Sequence, residues 1–229
     1  MSLNLDEVIP LGRCLGEYIK MFSLEPSDLE LAILDCAGGA ASFNAEMTRQ
    51  GRKVISCDPV YQFSAVEIGA HLPKYHTFIE DFEASRPNYL WNIFESPSQL
   101  ANVRRNATQE FLKDFPSGLQ EGRYVTASLP VLPFENGQFD LALCSHFLFT
   151  DPHLSEKDHL EAITEMCRVA KQVRVFPLLQ SFSGVESEHL NPVIAELQNR
   201  SFTVEIQEVA YQFQIGGNEM LRVSKKSSV

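Results

Sequence analysis

A chain of 229 residues, 44% of them apolar, can bury the core of one domain without disulfides or metals, and a single domain over 1–229 is expected. With 19 basic against 30 acidic residues the formal charge is −11, and the densest basic clusters, "VRRNA" and "SKKSS", carry only two adjacent charges each, which argues against nucleic acid as a partner. Five scattered cysteines without C-x-x-C or paired-histidine spacing exclude a zinc site and fit thiols of a reducing compartment; no run approaches the ~20 apolar residues of a membrane span, so a soluble cytoplasmic protein with no membrane partner is expected.

Residues 11 to 23 place Leu11, Leu15, Tyr18, Ile19 and Phe22 at helical spacing. "LAILDC" is too short for a helix and is bounded by glycines, which predicts a buried parallel strand. A helix from Ser42, its N-cap, to Gln50 follows, with Gly51 as the stop, and "KVISCD" is a second strand ending in an acid. Residues 61 to 121 are too long for an ordinary crossover. They contain a long helix, "SPSQLANVRRNATQEFLKDF", with Leu100, Val103, Ala107, Phe111 and Phe115 on one side, and are expected to form a helical insertion that serves as a lid or substrate-selecting element.

The strand–turn–helix rhythm then resumes. "RYVTAS" and "FDLALCS" are strands, residues 155 to 170 an amphipathic helix, "QVRVFPLL" a fifth strand and "EHLNPVIAELQNR" a further helix. The last two strands, "FTVEIQEVAYQF" and "EMLRV", are joined through "QIGGN", a connection too short for a crossover helix, so they should be antiparallel neighbours. The fold class is α/β: a Rossmann-like, doubly wound, mostly parallel seven-stranded sheet with an antiparallel last strand and helices on both faces.

The stretch "LDCAGGAASF" lies where open α/β sheets bind ligands, at the carboxyl end of the first strand. Its small residues let the backbone approach a ligand, and the amides at the next helix start favour a negative group. The dinucleotide pattern G-x-G-x-x-G is missing. Asp35 to Ala41 instead resembles the first motif, D-x-G-x-G-x-G, of class I S-adenosylmethionine (SAM) dependent methyltransferases, with alanine at the first and third glycines. Asp58 closes the second strand 23 positions after Asp35, and "LPVLPFENGQFDLALCSHFLF" is similar to the third and fourth motifs of bacterial small-molecule members with an LPF sequence.

The resemblance implies methyl transfer from SAM, with S-adenosylhomocysteine (SAH) as product, to a small-molecule acceptor. It implies cofactor contacts at Asp35, Ala37, Gly38, Gly39, Asp58, Pro59, Ser128, Leu129, Ser145 and His146, the two ribose hydroxyls falling to Asp58 and the adenine to Ser128 and Leu129. His146 borders cofactor and acceptor and is the candidate base, and Arg104 and Arg105 could anchor an acidic acceptor. Plainer readings stand beside these: Asp58 as a cap ahead of Pro59, His146 as a wall residue, both arginines on a solvated face, Cys144 as a core thiol. A non-catalytic SAM-binding scaffold is the main alternative; an NAD-dependent oxidoreductase is disfavoured by the missing third glycine and the lack of a Tyr-x-x-x-Lys pair.

Overall fold

The computed structural model describes residues 12–70, 75–180 and 184–226. Seven strands form one sheet in the order β3-β2-β1-β4-β5-β7-β6. These are β1 (Ile33–Cys36), β2 (Val54–Cys57), β3 (Tyr124–Val125), β4 (Phe139–Ser145), β5 (Ala170–Phe176), β6 (Phe202–Glu208) and β7 (Glu219–Lys225). The first five pair in parallel, and β7 runs antiparallel to both β5 and β6. The expected doubly wound sheet is thus present, and strand order reverses between β1 and β4, beside the small-residue turn.

Helices α1 (Leu15–Met21), α2 (Phe43–Arg49), α3 (Ala65–Ala70), α4 (Tyr75–Ala84), α5 (Pro97–Gln120), α6 (Glu156–Val169) and α7 (Leu190–Asn199) surround the sheet. Alternation along the strands separates two cores. Ala142 and Cys144 of β4 join Ile163 and Met166 of α6 and Val193 of α7 on one face, whereas Leu141 and Leu143 join Tyr18 of α1, Phe22 directly after it and Phe43 of α2 on the other. Each fully buried Leu or Phe contributes about 1.5–3 kcal/mol, so these two layers hold the sheet. A third cluster, Tyr61, Phe111, Phe115 and Tyr124, seats α5 over the edge of the sheet.

Several boundaries differ from the sequence reading for local reasons. The first helix begins at Leu15, and Leu11 lies outside the described residues, as do positions 71–74 of the expected insertion. Helix α5 continues past Phe115 and through Pro116 to Gln120, and its Gly118 seats directly on the Tyr124 ring, where a Cβ would come within 2.4 Å of Cε2. "RYVTAS" pairs over only two residues. Strand β5 starts at Ala170, directly at the end of α6, and stops at Phe176 before Pro177, which has no N–H to donate.

The largest difference lies before β7. Strand β6 ends at Glu208, and after Val209, whose N–H still donates to the Asn218 carbonyl, the chain leaves the ladder: the Leu90 N–H donates to the Phe213 carbonyl and the Ile215 N–H to that of Asn88, so the end of "VAYQF" pairs with the insertion instead of with β7. Its alternating Val209, Tyr211 and Phe213 are buried in the core that also holds Tyr89 and Phe94. The strand-like pattern was real, but its partner is the insertion.

Candidate active site

The turn after β1 is clasped by its neighbours. Asp58 follows β2; its Oδ2 accepts the Gly39 N–H at 2.9 Å and its Oδ1 accepts the Val60 N–H at 2.8 Å. The hydroxyl of Tyr61 donates to the Gly39 carbonyl at 2.8 Å. One carboxylate therefore caps the 3₁₀ turn at Pro59–Gln62 and holds the glycine turn as well. Each of its oxygens keeps a further acceptor site. Burial raises the Asp58 pKa to about 6, against the two amide hydrogen bonds.

Asp35 lies beneath the turn. It accepts from Tyr18 Oη at 3.0 Å and from Ser56 Oγ, its cross-strand neighbour, at 2.9 Å. Burial pushes its pKa up to about 7; the Ser56 and Tyr18 hydrogen bonds oppose this and the Asp58 charge adds to it. A Cβ at Gly38 would stand 2.4 Å from Asp35 Oδ2 and 2.9 Å from Tyr61 Oη. Glycine at 38 is thus required by the carboxylate under the turn. Gly39 has φ of +51°, and so, unexpectedly for a residue with a Cβ, does Ala37 at +53°. The left-handed conformation costs an alanine about 1–2 kcal/mol.

A cavity of about 340 Å³ opens over this turn, within the range of small-ligand sites. One end is walled by Ala37, Gly38, Gly39 and Asp58 and the other by Phe82, Tyr89, Leu100, Tyr211 and Phe213, with Ser145 and His146 also on the wall. His146 directly follows β4 with φ of +53°, its N–H held by the Phe176 carbonyl at 2.7 Å. Its Nδ1 stands 2.8 Å from Ser145 Oγ, which faces Met21 Sδ at 4.0 Å. With Ser145 donating to the sulfur, the hydroxyl accepts Nδ1–H, an assignment that leaves a lone pair on Nε2. Burial, followed by the charges of Arg13 and Arg104, holds the imidazole well below 6.5 and so neutral at pH 7.

Arg104 is buried on the cavity wall, whereas its neighbour Arg105 is exposed on α5 and donates to Asn102. Arg104 Nη1 meets Glu17 Oε2 at 2.5 Å and the Gly12 carbonyl at 3.3 Å, and Nη2 reaches Tyr211 Oη at 3.4 Å. Tyr211 in turn donates to Glu17 Oε1 at 3.1 Å. This network ties α1, α5 and the β6–β7 connection around one end of the cavity. Ser128 is exposed, and neither it nor Leu129 nor Pro59 is on the cavity wall. The LPF sequence packs as scaffold: Phe134 meets the Phe139 ring edge-on at 5.1 Å, and Arg168 binds the Leu132 and Phe134 carbonyls.

Sequence reasoning overlooked Arg13, Glu17, Tyr211 and Phe213. The alternation in "VAYQF" was the only available signal, and it read as an ordinary strand face. Among the described residues no cluster of three or more His, Cys, Asp or Glu could hold a metal, and no helix is long and apolar enough to cross a membrane.

Residues 78–173 match the family model described as a methyltransferase domain; the match runs from α4 into β5, downstream of the 35–41 turn and Asp58. The match lies within the β3-β2-β1-β4-β5-β7-β6 sheet described above. The chain belongs to one family with the uncharacterized protein MJ0045 of Methanocaldococcus jannaschii, 30% identical over 226 residues, which are 97% of this chain and 99% of the relative. Similar solved structures include magnesium protoporphyrin IX methyltransferase from Synechocystis PCC 6803 with bound SAM, at 12% identity and a TM-score of 0.46, covering 93% of this chain and 78% of that one. Another is 1,6-didemethyltoxoflavin-N1-methyltransferase of Burkholderia thailandensis, at 14% identity and a TM-score of 0.44, covering 86% and 71%.

Proposed function

We propose that the cavity binds SAM with its ribose at Asp58 and its amino-acid portion along Ala37–Gly39, and that the chain transfers the methyl group to a small-molecule acceptor. The observation that carries this reading is the clasp between Asp58 and Gly39, which joins the tip of β2 to the turn after β1 at the mouth of the cavity. The residues fit the cofactor: a carboxylate with acceptor sites to spare beside a side-chain-poor turn suits a vicinal diol, and charge-assisted hydrogen bonds of this kind contribute about 1.5–3 kcal/mol each.

SAM supplies a methyl group already joined to a good leaving group, so the protein has to align the acceptor, exclude water and, for a protonated acceptor, remove a proton. Within this reading His146 takes that proton on Nε2, while Nδ1–H stays on Ser145 Oγ. Insertion residues Phe82, Tyr89, Leu100 and Arg104 cover the acceptor end and keep it dry. The formal charge of −11 and the five free cysteines support a cytoplasmic enzyme of small molecules over one that acts on nucleic acid.

Thermal denaturation tests the reading. SAH at ~100 times its dissociation constant adds ~2.7 kcal/mol, several degrees for a chain of this size. Stabilisation by NAD with none by SAM or SAH would replace the proposal with a dinucleotide site.

A further inference from the structure

A run of rings leads away from His146 along the cavity wall. Phe176, the last residue of β5, meets the His146 ring edge-on at 5.6 Å and the Tyr211 ring at 5.8 Å and 89°, and all three are on the wall. Tyr89 and Phe213, also on the wall, stack at 4.7 Å, and Phe213 is boxed in by Phe82, Trp91 and Phe94 at 6.0, 5.3 and 5.1 Å. Rings packed edge to face in this way present fixed, flat surfaces. Among the described wall residues Leu100 and Pro177 are the only aliphatic side chains larger than alanine. A bent aliphatic chain would find little that moulds to it, whereas a planar ring finds several faces.

Ring faces also attract cations. Here a cation would lack a counter-ion. Among the described wall residues Asp58 is the only carboxylate, and it lies at the glycine turn. Glu17, off the wall, already receives Arg104, the Tyr211 hydroxyl and the Cys14 N–H. The other two charged wall residues, Arg13 and Arg104, are themselves cations, so an ammonium group at this end would be desolvated beside no free acid, whatever pairs the arginines make. A hydroxyl, by contrast, has a partner: His146 Nδ1 is engaged by Ser145 Oγ at 2.8 Å, and Nε2 is the ring nitrogen left to accept.

We infer that the methyl acceptor is a phenol that carries no positive charge, its ring lying along Phe176 and Tyr211 and its hydroxyl directed at His146 Nε2. The acceptor oxygen bonds to the methyl carbon while the carbon–sulfur bond breaks with its electron pair passing to sulfur, and the hydroxyl proton goes to His146. This assignment of substrate class rests on the SAM reading above.

Calorimetric titration of the full chain, first with SAH and then with probes at saturating SAH, tests it. 2-Naphthol is compared with decahydro-2-naphthol, which keeps a hydroxyl and loses the flat ring. Tyrosol is compared with tyramine, which carries an ammonium on its tail, and with 2-phenylethanol, which lacks the ring hydroxyl. 2-Naphthol should bind about tenfold or more tightly than its saturated counterpart, tyrosol about tenfold or more tightly than tyramine, and tyrosol about fivefold more tightly than 2-phenylethanol. In His146→Ala, its folding checked by circular dichroism melts, that last margin should fall to within about twofold while SAH still binds; the wild-type pairs decide the substrate class without the variant. Decahydro-2-naphthol or tyramine binding as tightly as its partner, a ring-hydroxyl preference that survives in folded His146→Ala, or no probe bound by SAH-loaded protein would overturn the inference and leave the SAM reading intact. Absence of SAH binding in the first titration would overturn both.

Discussion

Asp58 Oδ2 and the Gly39 amide stand 2.9 Å apart, and this contact joins two loops separated by 19 residues into one concave surface. A carboxylate here closes the turn with one set of lone pairs and, in the proposed function, offers the other to the ribose. Asp58→Asn presents only one carbonyl acceptor in place of two carboxylate oxygens. It should weaken SAH binding about tenfold or more and also lower the melting temperature, because either Gly39 or Val60 loses its partner. Calorimetric titration with parallel melts checks both; unchanged SAH affinity in a folded variant contradicts the assignment of Asp58 to the ribose.

Ionisation of Asp58 gives the same claim a pH signature. With a folded pKa near 6, above the ordinary 3.8, the carboxylate that serves ligand hydroxyls best is lost as the pH falls through 6. SAH affinity should therefore decline between about pH 7 and 5 in the wild type, and the decline should flatten in Asp58→Asn. The raised pKa also means that Asp58 and Asp35 favour folding most below the unfolded carboxylate range and lose that contribution as the pH rises through their folded values, about 6 and 7.

Two substitutions in the turn should have opposite effects. Gly38→Ala places a methyl group 2.4 Å from Asp35 Oδ2, which Tyr18 and Ser56 hold in place, and should cost about 1–3 kcal/mol by overpacking. Ala37→Gly relieves a left-handed alanine and should gain a few tenths to about 1 kcal/mol, part of the relief being offset by the freer unfolded chain. Urea unfolding curves measure both. A stable Gly38→Ala would show that Asp35 can move.

The pair Glu17–Arg104 is buried, so removing one partner should be costly. Glu17→Gln leaves Arg104 and Arg13 without the carboxylate that faces both and should destabilise the chain by about 3 kcal/mol or more. Tyr211→Phe, which removes only a hydroxyl, should cost about 1 kcal/mol. Equal losses for the two would show that the network acts through packing alone.

His159 gives an acid-sensitive contact remote from the cavity. Its Nε2 accepts the Phe149 N–H at 3.1 Å and its Nδ1 lies 2.7 Å from the Ser155 carbonyl, so the neutral ring satisfies both groups. Burial, with a smaller contribution from His189, lowers its pKa against the Ser155 hydrogen bond. A histidine with a lowered folded pKa stabilises the fold above its unfolded value of about 6.5, and that stability is lost as the pH falls from there toward the folded value. The wild type should lose stability below about pH 6.5 more steeply than His159→Gln, as read from melts across that range.

Much of the sheet could be read from the chain itself, because β1, β2 and β4 are short apolar runs bounded by glycine or acid, and such runs have few alternatives. Asp58 was legible for the same reason: it closes a strand at a fixed distance from the turn. The acceptor end was not. Glu17 and Tyr211 are 194 residues apart and meet only in the folded chain, and Tyr211 and Phe213 carry a strand pattern while facing a cavity. Arg104 and Arg105 were equivalent in sequence, and only the pitch of α5 turns one inward and the other to solvent. The sequence placed Ala37 at the first glycine of the resembled motif but could not show its φ; the value of +53° means that an alanine bears a left-handed conformation there.

A crystal structure of the chain with SAH tests the central claim most directly. The account predicts ribose hydroxyls within hydrogen-bonding distance of Asp58 and a homocysteine chain passing over Ala37–Gly39 toward His146. Density for SAH outside this cavity, or a ribose turned away from Asp58, would contradict it.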